Sequence, residues 1–302
     1  MRAFPAADWP SRPKRLLRLL MAAVSSDHLV VHFALADVMF LVAMLAMIPF
    51  HRCRLTTLDF FIGSPPLSRR PMIRWCLNRV DRMLVYFRDA SVFECEYGIS
   101  PERFHYIPFK INGIELIHHT PVSDGGYIFT GGRSRRDFAT LFAAVAPLGY
   151  PVKIVTSSEA DMRPHGSSLE GLTIPPNVEI SANDLAQDFF IRTMAGARLV
   201  VLPIVRDTTT QAGIGVYLQA MALRKCVIIS SGMGVSDVLT DSQALIVPAG
   251  DSEELRQAIE RAWNDEGLRE RYAAAGYAYA RRLGGEDELR RNVLNALPGA
   301  SA

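Results

Sequence analysis

The stretch Gln211-Ala-Gly-Ile-Gly-Val-Tyr-Leu-Gln219-Ala-Met-Ala222 lies between two apolar runs, Leu199-Val-Val-Leu-Pro-Ile204 and Cys226-Val-Ile-Ile-Ser230. The order predicts a strand, a glycine-rich turn, a helix and a second strand. A glycine-rich turn that opens a helix after a strand leaves backbone N–H groups facing outward, where a phosphate can bind. Gln211 and Gln219 bracket this turn, one on the loop and one within the helix. The stretch therefore favours a nucleotide that carries a sugar.

The size and composition of the chain narrow its class. Its 302 residues predict about two domains, and 49% hydrophobic residues are enough for real cores. The net charge of +2 gives no signal for binding nucleic acid. The seven histidines have no metal-ligand spacing, and the cysteines form no C-x-x-C pair. We therefore expect no disulfide framework, no metal and no cofactor apart from a nucleotide substrate, in a reducing cytoplasm.

Two N-terminal segments leave alternatives open. Leu29–Phe50 is long and apolar enough for a membrane span. We favour a buried strand followed by a helix, because Asp37 suits a helix N-cap and would be costly in lipid. The basic, leucine-rich segment Pro13–Met21 fits a helix on a membrane surface and fits an ordinary packing helix equally well. It does not have the pattern of a cleaved signal peptide.

Short apolar runs alternate with helical patterns along the chain, which predicts parallel sheets covered by helices on both faces. The predicted strands are residues 29–33, 55–61, 83–87, 104–107, 127–130, 152–156, 178–180, 199–202, 226–230 and 244–247. The predicted helices are residues 13–24, 37–48, 69–79, 90–97, 136–147, 183–195, 215–223, 234–239, 252–264, 266–281 and 285–296. A turn-rich boundary divides a small N-terminal domain, 1–117, from a C-terminal domain, 118–284. A last segment, 285–302, is predicted to be a helix that crosses back to the first domain.

Three further strand–loop junctions carry chemistry of the same kind. Thr130-Gly-Gly-Arg133-Ser-Arg-Arg136 offers glycines for close backbone approach and cations for a diphosphate. A simple turn with solvated arginines would have the same sequence pattern. Ser230-Ser231-Gly232 again follows a strand. Val152–Ser158 ends in hydroxyl residues that suit a ribose, or equally a helix cap. No G-x-G-x-x-G with a downstream acid is present, which disfavours dinucleotide oxidoreductases.

These motifs, in this order, resemble the C-terminal half of retaining glycosyltransferases of family 4. The resemblance also includes three further segments: Val-Leu-Pro-Ile204, Gln219-Ala-Met-Ala222 and Ala-Leu-Ile-Val-Pro-Ala-Gly-Asp251. The similarity runs from about Arg82 to Ala280 and is strongest over 126–264. It implies an α/β protein of GT-B fold, with two Rossmann-like parallel-sheet domains facing across a cleft and a small, shortened N-terminal domain.

The resemblance assigns roles to particular residues. It implies that Arg133, Arg136 and Gln211 are catalytic, with Arg135 a competitor for the role of Arg136. The implied nucleotide-sugar contacts are Gly131, Gly132, Thr156, Gly213, Ile214, Gly215, Gln219, Ser231 and Gly232. The family has two glutamates where this chain has Gln211 and Gln219. An amide still hydrogen-bonds hydroxyl groups but supplies no negative charge.

The first domain departs further from the family. The glycine loop after its first strand has no match, and neither does the histidine expected after one of its strands. Asp59 is the nearest polar candidate, and no motif surrounds His32 or the other histidines.

The resemblance implies transfer of a sugar, with retention and without a metal, from a nucleotide-diphosphate sugar to a glycan or lipid-linked acceptor. The expected setting is bacterial polysaccharide biosynthesis in the cytoplasm, with Pro13–Met21 held peripherally at the inner membrane surface. One alternative is a catalytically impaired GT-B relative that acts as a binding or partner subunit. A weaker alternative is an epimerase or hydrolase of nucleotide sugars on the same fold.

Overall fold

The structure, a computed structural model, describes residues 12–48, 52–62, 65–182, 186–206 and 209–297. The chain divides into two compact units. The first contains the residues up to Ile107 together with those from Asn292 onward, and the second is Pro108–Arg291. The boundary expected after residue 117 thus falls inside the second unit. Within the first unit, Arg82 donates a hydrogen bond to the carbonyl of Ala296, near the chain's C-terminal end.

The first unit is a four-stranded parallel sheet in the order β1-β2-β3-β4. Its elements are α1 (Arg12–Val24), β1 (His28–His32), α2 (Leu35–Ala46), β2 (Arg54–Leu58), α3 (Arg70–Leu77), β3 (Arg82–Val85), α4 (Ser91–Tyr97) and β4 (Phe104–Tyr106). The apolar segment that could have been a membrane span is β1 followed by α2, as expected. In the described part of the chain, no helix is both long and apolar enough to cross a membrane.

Asp37 corrects one detail of the sequence prediction. The N-cap position of α2 is Ala34, and Asp37 lies in the first turn instead of capping it. Its carboxylate is 2.8 Å from the guanidinium of Arg15 on α1. A charged partner on the neighbouring helix has replaced the capping role, so the side chain ties α1 to α2.

The core of the first unit contains a cluster of phenylalanines near the carboxyl ends of its strands. Phe60 packs against Phe33, Phe93 and Phe104 with ring centroids 4.6 to 5.0 Å apart, and Phe87 lies 5.5 Å from Phe93. Aromatic pairs at this spacing contribute more than their buried area alone. The cluster fixes the segments that follow β1, β2 and β3.

The second unit is a six-stranded parallel sheet in the order β10-β9-β8-β5-β6-β7. Its elements are α5 (Ile114–His119), β5 (Ile128–Gly131), α6 (Phe138–Val145), β6 (Val152–Thr156), α7 (Glu159–Met162), β7 (Val178–Ala182), α8 (Gln187–Ala195), β8 (Leu199–Leu202), α9 (Ile214–Ala222), β9 (Cys226–Ser230), β10 (Leu245–Val247), α10 (Ser252–Asn264), α11 (Glu266–Ala280) and the first part of α12 (Glu286–Asn295). The last residues of α12, from Asn292, belong to the first unit. The chain builds outward from β5 to β7, then returns to β8 and continues to β10. The strand order therefore reverses between β5 and β8.

The sheet topology confirms the expected fold class of two parallel-sheet α/β domains with a smaller first sheet, and each of the ten predicted strands is present. The apolar runs of β8 and β9 are continuous because both faces are covered: every residue of these two strands is buried. The aspartates that precede α6 and α10 accept hydrogen bonds from N–H groups of the first turn, which sets where those helices begin.

Two helix predictions are corrected. Where residues 234–239 were predicted to form a helix, residues 233–238 form consecutive turns, and the Asp237 carboxylate accepts the N–H of Gly234 and closes a tight turn. The turn-rich boundary segment contains the short helix α5, which was not among the predicted helices.

Candidate nucleotide-sugar site

The predicted site residues of the second unit lie at one edge of its sheet. They follow β9, β8, β5 and β6, which are four adjacent parallel strands, so all four loops leave from the carboxyl edge. The two central loops flank the point where the strand order reverses. Open α/β sheets bind their ligands at such a switch point, because the loops diverge there and leave a crevice.

The loop after β5 requires its glycines. Gly132 has a φ of +99°, which side chains rarely adopt, and a Cβ there would lie 2.6 Å from Nη2 of Arg136. Gly131 is fully packed, since a Cβ would meet Phe129 and Phe190 at under 3 Å. The predicted glycine pair is therefore needed to fold the loop back over its own arginine.

Arg136 lies beneath this loop and is almost entirely buried. Its Nε donates to the carbonyl of Gly131 at 2.7 Å, and Nη1 donates to that of Ser134 at 2.8 Å. Burial lowers the pKa of the guanidinium to about 10, so it remains charged at neutral pH. Its backbone pairs with Ile204 after β8, which joins the two central loops. Arg136 thus places a buried positive charge under the crevice and shapes the loop.

Arg133, in the same loop, is half-exposed. Its Nη1 lies 3.0 and 3.3 Å from the two carboxylate oxygens of Asp161 on α7. The neighbouring Ser157 side chain and the Arg133 guanidinium together hold the pKa of Asp161 below its usual range. The predicted diphosphate cation is therefore held by an exposed carboxylate, an arrangement that an incoming anion can exchange.

Thr156 closes the β6 side of the loop. Its hydroxyl donates to the carbonyl of Gly132 at 3.1 Å and is fully buried, so in this structure it supports the loop. The neighbouring Ser158 accepts the N–H of Asp161, as the helix-cap alternative anticipated.

A hydrogen bond between Arg135 and Thr210 connects the loop after β5 to the loop after β8, and the sequence did not predict it. Arg135 has a φ of +57°, and its Nη2 donates to the hydroxyl of Thr210 at 3.1 Å. Its carbonyl accepts the N–H of Val205. A non-glycine residue in the left-handed region is uncommon and often marks a functional loop. The run Arg133–Arg136 gave no sign of which arginine would tether the next loop.

The glycine-rich turn begins α9 as predicted. Gly213 has a φ of +80°, and its carbonyl accepts the N–H groups of Val216 and Tyr217, so the helix starts at Ile214. Gln211 is half-buried just before this turn. The first N–H groups of a helix have no intrahelical partner and carry its positive end, which makes this turn suited to a phosphate.

Gln219 has an observed structural partner within the second unit. Its Nε2 donates to the backbone carbonyl of Asn112 at 3.0 Å, and the side chain is buried. One turn earlier, the Asn112 side chain lies 3.0 Å from where a Cβ of Gly215 would stand. The Pro108–Gly113 segment therefore packs on the face of α9 that carries Gly215 and Gln219. A glutamate could not donate this hydrogen bond as a carboxylate, which gives a physical reason for an amide here.

Ser231 and Gly232 follow β9 and are partly buried. Ser231 donates its N–H to Val247 and accepts the N–H of Ala249 on its hydroxyl. Tyr217 of α9 donates its hydroxyl to the Gly234 carbonyl at 3.1 Å, which holds the turns after β9 against the helix.

The geometry brings two arginines, a helix start and several backbone N–H groups to the carboxyl edge of β8 and β5. Such a set can neutralise a diphosphate without a metal. Within the described ranges, no three His, Cys, Asp or Glu side chains are grouped so that they could hold a metal ion.

Comparison with known proteins agrees with this architecture. Residues 151–265 match the family model described as "Glycosyl transferases group 1". No curated protein matches the chain. Sucrose-phosphate synthase from Thermosynechococcus elongatus superposes with a TM-score of 0.72 at 18% identity, over 93% of this chain and 76% of that one.

Two further solved structures are similar. A glycosyltransferase from Rickettsia africae gives a TM-score of 0.69 at 12% identity, covering 97% of this chain and 82% of that one. Anabaena HepE in complex with UDP gives 0.69 at 15% identity, covering 89% and 78%. At these identities the structures show a shared fold. The family match in the second unit and the two parallel-sheet domains together support a glycosyltransferase of GT-B fold.

Proposed function

We propose that the chain transfers a sugar, with retention, from a nucleotide-diphosphate sugar to a glycan or lipid-linked acceptor. The observation that carries the proposal is the convergence of the Gly131–Gly132 loop, Arg133 and the Gly213 turn at the switch point of the second sheet. The family match covers the same sheet from β6 to α10. HepE, whose fold is similar, is described in complex with UDP and with UDP-glucose.

In this proposal the donor's diphosphate takes the place of the Asp161 carboxylate on Arg133. The buried charge of Arg136 and the start of α9 add positive potential below it. As the bond from the anomeric carbon to the diphosphate oxygen breaks, the acceptor oxygen bonds to that carbon from the same face, and its proton passes to the leaving diphosphate. These groups stabilise the negative charge that develops on the diphosphate. We assign Gln211 to a hydroxyl of the donor sugar. We assign Gln219 to the ribose through the amide atoms that Asn112 does not occupy.

Calorimetry with UDP-glucose and GDP-mannose tests donor binding. Arg133→Ala removes a charge-assisted contact, which we expect to weaken binding about tenfold to a hundredfold. Arg192→Ala is a matched control, because Arg192 also pairs with an exposed aspartate but lies on α8. Binding of neither nucleotide sugar, or equal losses in both variants, would count against the proposal.

The second candidate is a catalytically impaired relative that binds a nucleotide sugar or a partner without turnover. The bond from Gln219 to Asn112 favours it, because this amide already serves the packing of the second unit. Turnover of UDP-glucose or GDP-mannose, followed by product analysis with and without an acceptor, separates the two. Donor binding with no product in either assay would favour the impaired relative, and transfer abolished by Arg133→Ala would favour the enzyme.

We also propose that α1 lies on the inner membrane surface, which would place the protein near a lipid-linked acceptor. Leu17, Met21 and Val24 are exposed and follow one another at helical spacing, with the exposed cations Lys14 and Arg18 nearby. Co-sedimentation with vesicles that contain phosphatidylglycerol tests this. We expect Leu17→Ser combined with Met21→Ser to release the protein, whereas Met47→Ser, which changes an exposed methionine after α2, should not.

A further inference from the structure

His32 and Asp59 lie at the ends of two neighbouring strands of the first sheet. His32 is the last residue of β1, and Asp59 directly follows β2, which pairs with β1 in parallel. Nε2 of His32 is 3.6 Å from Oδ2 of Asp59, slightly longer than a closed hydrogen bond. The two side chains are 72% and 40% exposed, so a ligand can reach both.

Asp59 holds an unfavourable backbone conformation. Its φ is +65°, in the left-handed region, while its N–H donates to the carbonyl of Leu84 on β3 at 3.1 Å. Aspartate tolerates this region better than most residues but still less well than glycine. Backbone strain of this kind is typical of residues that contact a ligand.

A buried aromatic frame fixes the position of the pair. His32 precedes Phe33, Asp59 precedes Phe60, and the same pattern recurs after β3, where Tyr86 precedes Phe87. The three phenylalanines are buried in the cluster described above. Each polar residue is therefore attached directly to a packed side chain, which limits its movement at the carboxyl edge.

Tyr86 lies close to the pair. Burial, followed by the charge of Asp59, raises the pKa of its phenol. The carboxylate and the imidazole are both exposed and can exchange hydrogen bonds with the hydroxyl groups of a ligand.

We propose that His32 and Asp59 form a hydroxyl-binding pair for the sugar of the acceptor. When Asp59 accepts the Nε2 hydrogen of a neutral imidazole, Nδ1 is left as an acceptor and can receive a hydrogen bond from an acceptor hydroxyl. Asp59 orients the imidazole. The inference rests on the proposed sugar transfer, since it names the group that holds the second substrate.

The pair can be tested on the full chain by NMR of its labelled histidine side chains. His32 is assigned from the signal lost in His32→Gln. It is then titrated with methyl α-glucoside, methyl α-mannoside and methyl α-galactoside. We expect saturable shifts of the His32 imidazole with at least one of them, and about tenfold weaker binding in Asp59→Asn, which loses a charge-assisted contact. The His28 signal, from the opposite end of β1, is the internal control and should not move.

Asp59→Gly separates this role from a structural one. Glycine relieves the left-handed strain, so we expect an unchanged or raised melting temperature. We also expect the glycosides no longer to shift the His32 signal. A lowered melting temperature with the titration intact would overturn the proposal, as would the absence of a saturable His32 shift with every glycoside. Failure of UDP-glucose and GDP-mannose to bind would instead remove the proposed donor function, because that measurement does not depend on His32.

Discussion

Gln219 shows how a single buried amide can be committed to packing at a position where the resembled family has an acid. The amide supplies the hydrogen for the Asn112 carbonyl, and the partner lies 107 residues earlier in the chain. Motif spacing could suggest that the residue faces inward, but it could not reveal which backbone carbonyl it meets.

We predict that Gln219→Glu destabilises the fold at neutral pH, because it sets a buried carboxylate against a carbonyl oxygen. Loss of the donor with an unpaired acceptor left behind costs on the order of 1–3 kcal/mol, which denaturant titration would detect. Gln219→Met removes the hydrogen bond without adding charge and should cost less. The loss should shrink as the pH falls, because a protonated carboxyl can donate again. Equal stability of both variants at pH 7 would contradict this account.

Lys225 is a second buried polar residue whose protonation affects folding. Its Nζ donates at 2.7 Å to the carbonyls of Ser123 and Ala197, and burial lowers its pKa to about 8. The unfolded chain, with a lysine pKa near 10.4, therefore binds more protons than the folded chain between these two values. The cost of holding the charged amine is present below pH 8 and is relieved as pH rises through this window.

We predict that the free energy of unfolding of the wild type rises relative to that of Lys225→Met between about pH 8 and 10.4, by roughly 1–3 kcal/mol. Urea titrations of both proteins at several pH values would measure it. Lys153→Met is a control, because Lys153 is another partly buried lysine of the second unit, with its Nζ over the Tyr127 ring. A constant difference across the window would show that Lys225 stays protonated.

At the scale of elements, strands were predicted best. Each is a short apolar run bounded by turn residues, and burial on both faces removes the ambiguity of an alternating pattern, as in β8 and β9. The segment 234–239 was read as a helix because its tertiary contacts, from Asp237 and Tyr217, could not be seen in sequence. The site loops were located correctly because each of them directly follows a predicted strand. The burial of Arg136 was not predicted, because it depends on carbonyl groups of its own loop.

The loop after β5 gives a sharp test of element geometry. We predict that Gly132→Ala destabilises the second unit by about 1–3 kcal/mol, because alanine is strained at the positive φ of this position. A further loss is expected because the added Cβ would lie 2.6 Å from Nη2 of Arg136. Gly149→Ala isolates the first contribution, since Gly149 has a φ of +65° and nothing within 4 Å of a Cβ. The difference in melting temperature between the variants reports the clash. If the two variants lost the same stability, the loop would not be pinned by Arg136.

At the scale of the whole molecule, the two units have separate sheets and separate cores. The sequence indicated this division through the length of the chain and the turn-rich segment that separates the two groups of strands. It could not locate the division to the residue, since the segment from Pro108 to Gly113 packs on α9 through contacts distant in sequence.

This division makes donor binding visible as a local change in stability. Trp263 stacks on Tyr150 in the second unit with ring centroids 4.2 Å apart, and Trp75 lies on α3 of the first unit. We predict that UDP raises the melting temperature reported by Trp263 fluorescence, because a ligand at about 100 times its Kd stabilises the unit that binds it by roughly 2.7 kcal/mol. Single-tryptophan variants that keep either Trp263 or Trp75 assign the transition. Arg133→Ala should reduce the shift, and Arg192→Ala should leave it intact. A shift confined to the Trp75 reporter would place nucleotide binding in the first unit and contradict the assignment of the Gly132 and Gly213 loops.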